Sequence, residues 1–271
     1  MTRTVRTQSP SQSASPGGGP AGTPRGLPAG DWHLNGATRI APLPRAERST
    51  SVRFFLKVIR KVTREDFDYT VFTTLARLGR IFPVHAYFVS QLLYKGRIPV
   101  ADKERVILRV AHRTGCAYEW AHHSVMAQDQ GVTRLEIESI ARTADDGWTP
   151  RTRALFAATD DLLTDGRLTA DTWHTLREHL DEDRIVEVCM LVGHYVMGAM
   201  IINTSGCAIE PRYLASLGES WTAAPAKDVD ACTRGRLCLG RSGLRSDYGS
   251  PHAGSRKTFA SRIKTNVLRR H

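Results

Sequence analysis

Between residues 69 and 203 apolar side chains recur at three- and four-residue spacing, and nowhere in that stretch do they alternate two by two. That period belongs to helices with one buried face, so the segment is committed to an all-α core. Over 69–80, Val71, Phe72, Leu75 and Leu78 share a face; Pro83 is expected to interrupt, and 85–94 continues as a second helix that stops at Gly96. Asp102 reads as the cap of a helix over 103–113, with Val106, Ile107 and Val110 inward. Thr114-Gly115 weakens that helix, and Cys116 begins the next, which runs to Gly131. Thr133 and Glu136 fit a capping box, and Thr149-Pro150 is an N-cap followed by proline at the first helical position. Further helices are expected over 151–163, 169–180 and 184–203. The expectation is an all-α domain of seven or eight helices.

The flanks read differently. Residues 1–38 are rich in Ser, Pro and Gly, and residues 223–271 in Gly, Ser and Arg, with too few apolar residues to offset the entropy of ordering the chain. Both are expected to be disordered tails around a domain over 39–222. They also hold the charge. The whole chain carries +11, but residues 1–50 contribute +4, residues 223–271 contribute +8, and residues 51–222 come to −1. A neutral core argues against a nucleic-acid surface, so no nucleic-acid partner is expected. Five cysteines at 116, 189, 207, 232 and 238 form no disulfide framework and suit a reducing, cytoplasmic setting. The apolar run 188–202 contains His194 and is short for a membrane span; it reads as a buried core helix, and no membrane partner is expected.

Chemistry concentrates between Glu104 and His123. At about 100° per residue, Cys116 and His123 differ by only about 20° around a helix, and Glu119 lies about 60° from Cys116. A thiol, a carboxylate and an imidazole thus share one face, while His122 points elsewhere. Glu104, on the preceding helix, joins them if Thr114-Gly115 turns the chain back. Cys116 stands at a helix start, where unpaired N–H groups and the helix dipole favour a thiolate. Taken singly, each residue has a plainer reading: Cys116 as packing, His123 as a satisfied core imidazole, Glu119 as a solvated surface charge or as a partner of Arg109 or Arg113. His122 and His123 diverge and lack a third ligand at matching spacing, so no metal is expected.

The set Glu104, Cys116, Glu119, His123, with the words Ile-Leu-Arg-Val-Ala and Cys-Ala-Tyr-Glu-Trp-Ala-His-His around it, resembles the signature of the carboxymuconolactone decarboxylase and alkyl hydroperoxidase D superfamily. Arg39-Ile-Ala-Pro-Leu-Pro is similar to the opening of one branch, and Leu191-Val-Gly-His-Tyr195 through Asn203 to its last helix, so the resemblance spans about 39–210. It implies an AhpD-like helical fold, no cofactor, a small-molecule substrate, and a homo-oligomer, trimeric or larger. It implies Glu104, Cys116, Glu119 and His123 as catalytic, with Tyr118, His194 and Tyr195 at the substrate; by residue pattern alone those three read as packing. The hydroperoxidases carry a second cysteine where this chain has Glu119, so a two-cysteine cycle is unavailable on this motif. What remains is acid/base chemistry on an organic acid or lactone, one-cysteine peroxide reduction by Cys116 with an external thiol, or a non-catalytic ligand-binding scaffold.

Overall fold

The computed structural model describes residues 27–33, 37–142 and 147–217; most of the two expected tails lies outside them. Among the described residues ten α-helices and two 3-10 turns follow one another with no strand. In chain order the helices are α1 (Thr50–Thr63), α2 (Thr70–Leu75), α3 (Ile81–Tyr94), α4 (Val100–Arg113), α5 (Ala117–Asp129), α6 (Arg134–Ile140), α7 (Pro150–Asp165), α8 (Ala170–Arg177), α9 (Glu182–Ser205) and α10 (Pro211–Ser216). Each of the eight helices expected from periodicity corresponds to one of these; α1 and α10 are additional.

Caps fix many of the starts. Ser49, Thr133, Thr149, Thr169 and Asp181 each accept a backbone N–H of the first turn, and Thr133 with Glu136 forms the full capping box. Three boundaries differ from the sequence expectation, each for a physical reason. The helix expected over 69–80 is α2 followed by a 3-10 turn (Ala76–Leu78), stopped at Gly79 with φ +57°. Pro83 does not interrupt: it lies in the first turn of α3, where its missing N–H would have had no intrahelical acceptor. Asp102 is not a cap, because α4 begins two residues earlier; its carboxylate takes Arg105 Nη1 at 3.1 Å and Arg151 Nε at 2.9 Å, tying α4 to α7.

Helix α4 is the axis of the molecule. It packs against α5, α7 and α9, and nine of its residues are buried, including Lys103, Glu104 and Arg109. Each buried charge on it is partnered, as burial demands. Lys103 Nζ donates to Leu92 O at 2.6 Å and pairs with Glu187 at 2.7 Å, and Arg109 holds Asp160 and the Ile140 carbonyl. One side of α9 enters the core through Val188, Leu191, Val192, Tyr195, Ala199 and Ile202, while Val186, Met190, Met197 and Met200 stay exposed. At 24 residues α9 is longer than the apolar run in its sequence and, by length and hydropathy alone, long enough to cross a membrane.

Part of the segment assigned to the N-terminal tail is built into the core. Leu27 is buried, Trp32 packs edge-on against Trp120 and His112 with ring centroids 5.4 and 5.6 Å apart, and His33 N–H donates to Gly115 O at 2.8 Å. Gly115 has φ +62°, and a Cβ there would lie 2.2 Å from Asp31 O. Two apolar side chains in a polar segment suffice to dock it, a signal too sparse for periodicity to register.

Candidate active site

The Thr114-Gly115 turn folds α5 back along α4, the two helices packing closely over their length. This return brings residues from both helices together against α9. Cys116 is the N-cap of α5 and fully buried. Its Sγ lies beside the backbone N–H and the carboxyl of Glu119, close enough for both to act on the thiol proton. Burial pushes the thiol well above its ordinary pKa, and the Glu119 charge adds to the effect. The helix-start expectation of a thiolate is therefore overturned. Desolvation of the thiolate outweighs the dipole.

Glu119 is itself buried, and desolvation raises its pKa to about 8 against the thiol hydrogen bond that lowers it. It does not pair with Arg109 or Arg113, both of which turn to Asp160. Its Oε2 has no hydrogen-bond partner among the described residues. Across the interface, Gly198 of α9 makes room for this carboxyl: a Cβ at Gly198 would stand 2.7 Å from Glu119 Oε1.

The second pair is Glu104 on α4 and His123 on α5, both buried, with Oε2 and Nδ1 2.7 Å apart. A carboxyl group on Nδ1 orients the ring and favours the tautomer that carries its proton there, with Nε2 as the free nitrogen. Tyr195 of α9 stands edge-on to the His123 ring at 5.0 Å, and its hydroxyl is held well above its usual pKa by burial and by the charges of Glu104 and then Glu119. Tyr195 thus adjoins both pairs. His194 stacks at a tilt on His85 of α3, 5.2 Å between centroids, and both Nδ1 atoms are buried without a partner. Burial lowers His85 and, with the charges of His85 and His123, takes His194 down to about 4.

The structure therefore brings together Glu104, Cys116, Glu119, His123 and Tyr195, with His194 at the margin. It does not bring Tyr118 to them. The Tyr118 hydroxyl donates to Glu210 Oε1 at 2.9 Å, on the opposite side of α5. There His122 lies between the Tyr118 and Tyr213 rings, at 4.1 and 3.9 Å, and binds Glu210 Oε2 at 2.6 Å. Burial raises Glu210, but His122 and the Thr70 N–H outweigh it and leave the carboxyl below its ordinary value. Helical arithmetic already puts residue 118 about 200° from residue 116, on the face of His122. His85 carried no pattern that could have marked it. Among the described residues no cluster of three or more His, Cys, Asp or Glu is placed to hold a metal ion.

Residues 86–161 match the model of the carboxymuconolactone decarboxylase family. Among curated proteins, none matches this sequence. In fold, the chain is similar to an uncharacterized peroxidase-related protein with an alkylhydroperoxidase AhpD core from Ralstonia eutropha, with TM-score 0.59 and 17% identity over 68% of this chain and 98% of that one. It is similar to a debrominase in complex with a tribromopyrrole, with TM-score 0.57 and 16% identity over 68% and 98%. A peroxidase-related protein from a Silicibacter species superposes with TM-score 0.58 and 11% identity over 66% and 95%. At such identities the likeness is one of fold.

Proposed function

We propose that this chain, an AhpD-like all-α protein carrying a carboxymuconolactone decarboxylase family segment, is an enzyme that moves a proton at carbon in a small lactone or unsaturated carbonyl compound. The observation that carries the reading is the joint burial of two separate pairs, Cys116 with Glu119 and Glu104 with His123, on facing helices. Glu119, raised to about 8, holds a proton at neutral pH and is a general acid; His123, oriented by Glu104, offers Nε2 as base. In a decarboxylation the electron pair of the broken carbon–carboxylate bond passes into the conjugated carbonyl, carbon dioxide leaves, and Glu119 returns a proton to carbon. The buried Glu104 disfavours a second anion beside it, so a substrate carboxylate that stays attached would turn towards the unpartnered Nδ1 atoms of His85 and His194.

Deuterium exchange tests this. In heavy water, wild-type protein should place deuterium at the carbon next to the carbonyl of an unsaturated γ-lactone, read by NMR, and Glu119→Gln and His123→Gln should lose the exchange. No exchange by the wild type would contradict the reading.

A second reading rests on the buried Cys116 thiol beside the Glu119 carboxyl. Cys116 could attack a hydroperoxide, its sulfur oxidised to sulfenic acid and the peroxide reduced to alcohol, with Glu119 relaying the thiol proton to the leaving oxygen and an external thiol restoring Cys116. Consumption of an organic hydroperoxide with dithiothreitol as donor, abolished in Cys116→Ser, would favour it.

A further inference from the structure

A groove of about 550 Å³ lies far along the chain from the candidate active site, lined by Arg45, Ala46, Arg48, Arg53, Leu56, Lys57, Arg60 and Asp68. Five cations face a single carboxylate there. Asp68 is shared by two of them, Arg48 Nη1 at 2.7 Å and Arg60 Nε at 3.2 Å, so this triad already carries an excess positive charge. Arg48 is buried at the floor and further fixed by donating to Leu43 O at 2.9 Å. Arg45, Arg53 and Lys57 line the rim and have no carboxylate partner among the described residues.

This arrangement is costly for the free protein. Arg53, Lys57 and Arg60 recur along one face of α1 at four- and three-residue spacing, where like charges repel. A buried guanidinium held in place below rim cations, of which Arg53 donates only weakly to the Arg45 and Ala46 carbonyls, is a site prepared for an anion, because the fork of an arginine matches phosphate oxygens. The chain's own ends cannot supply that anion. Residues 1–26 carry Arg3, Arg6 and Arg25 with no acidic residue, and residues 223–271 are strongly basic. The concavity, its size and the charge excess fit a compact ligand with at least two phosphate groups, its remaining part lying on Leu56 and the arginine stems.

We infer that the α1 groove binds a small oligophosphate through Arg45, Arg53, Lys57 and Arg60 above the fixed Arg48. The probe is inorganic pyrophosphate, titrated calorimetrically into the full-length protein, with sodium sulfate at equal ionic strength as control. Saturable binding of one pyrophosphate per chain is expected, weakened about tenfold or more in the Arg53→Gln/Lys57→Gln variant, since removing one charged hydrogen-bond donor costs of that order. Both positions are exposed and their like charges repel, so the variant should melt no lower than the wild type. Equal binding by wild type and variant would place the anion on the basic ends of the chain and overturn the inference. Binding confined to vesicles of phosphatidylserine and phosphatidylcholine, with none to pyrophosphate, would overturn it as well, by assigning the cations to a lipid surface.

Discussion

Gly198 of α9 faces the carboxyl of Glu119 so closely that a single added methyl would stand 2.7 Å from Oε1. The contact is between a backbone that cannot yield and the far end of a flexible side chain. Gly198→Ala should therefore displace Glu119 from Cys116 without breaking the fold. Alanine in place of glycine inside a helix favours the helix by roughly 0.5–1 kcal/mol. The expected outcome is an unchanged or higher melting temperature together with loss of lactone exchange. A marked fall in melting temperature would show that Glu119 has nowhere to go.

Glu119 also sets a pH dependence of stability. Its folded pKa is raised, so its ionisation opposes folding: stability is full below the unfolded value of 4.5 and declines as pH rises towards about 8. The decline can reach about 1.4 kcal/mol per pH unit across that window. Glu119→Gln, which cannot ionise, should be no more stable than wild type near pH 5 and more stable near pH 8. Urea melts of both proteins at the two pH values check the sign.

Glu210 has the opposite sign. Its folded pKa is depressed, so it contributes stability above 4.5 that is lost as pH falls through the folded value. Removing His122 by His122→Ala strips Glu210 Oε2 of its partner, leaves only the Tyr118 and Thr70 donors on Oε1, and takes away the ring that Tyr118 and Tyr213 enclose. A loss of about 3–5 kcal/mol at neutral pH is expected, as for other broken buried pairs. It should be accompanied by faster hydrogen exchange in α10, which this network holds to α5.

Among the described residues, more than half of the large apolar side chains left exposed lie on two helices. Ile81, Val84 and Tyr87 are exposed on α3, and Val186, Met190, Met197 and Met200 on α9. We propose that these faces meet in a homo-oligomer. Light scattering at micromolar concentration should give a multiple of the 30.1 kDa chain mass, and Val84→Glu with Met200→Glu should reduce it to one.

Much of this architecture is written in local patterns. Thr133 and Thr149 announce their helices because a cap is a short-range bond, and Cys116 pairs with Glu119 because three residues in a helix start keep one face. Glu104 with His123 needs only the turn at Gly115. Sequence patterns are blind where partners are far apart: Glu210 lies 88 residues from His122, and nothing local ties them. They mislead on the thiol because position at a helix start is visible in sequence, whereas the depth of burial that dominates it is not. Helix α1 escapes notice although Val52, Phe55, Leu56 and Ile59 have helical spacing, since its basic residues and nearness to a Ser/Pro-rich segment mask them.

At neutral pH, Glu119 is held to be a protonated acid beside a neutral thiol, and the proposed chemistry depends on it. The most direct measurement is the infrared difference spectrum between wild type and Glu119→Gln, followed across pH. The wild type at pH 7 should show the carbonyl band of a buried, protonated carboxyl, absent from the variant and bleaching with a midpoint near 8. A carboxylate spectrum for Glu119 at pH 7 would contradict it.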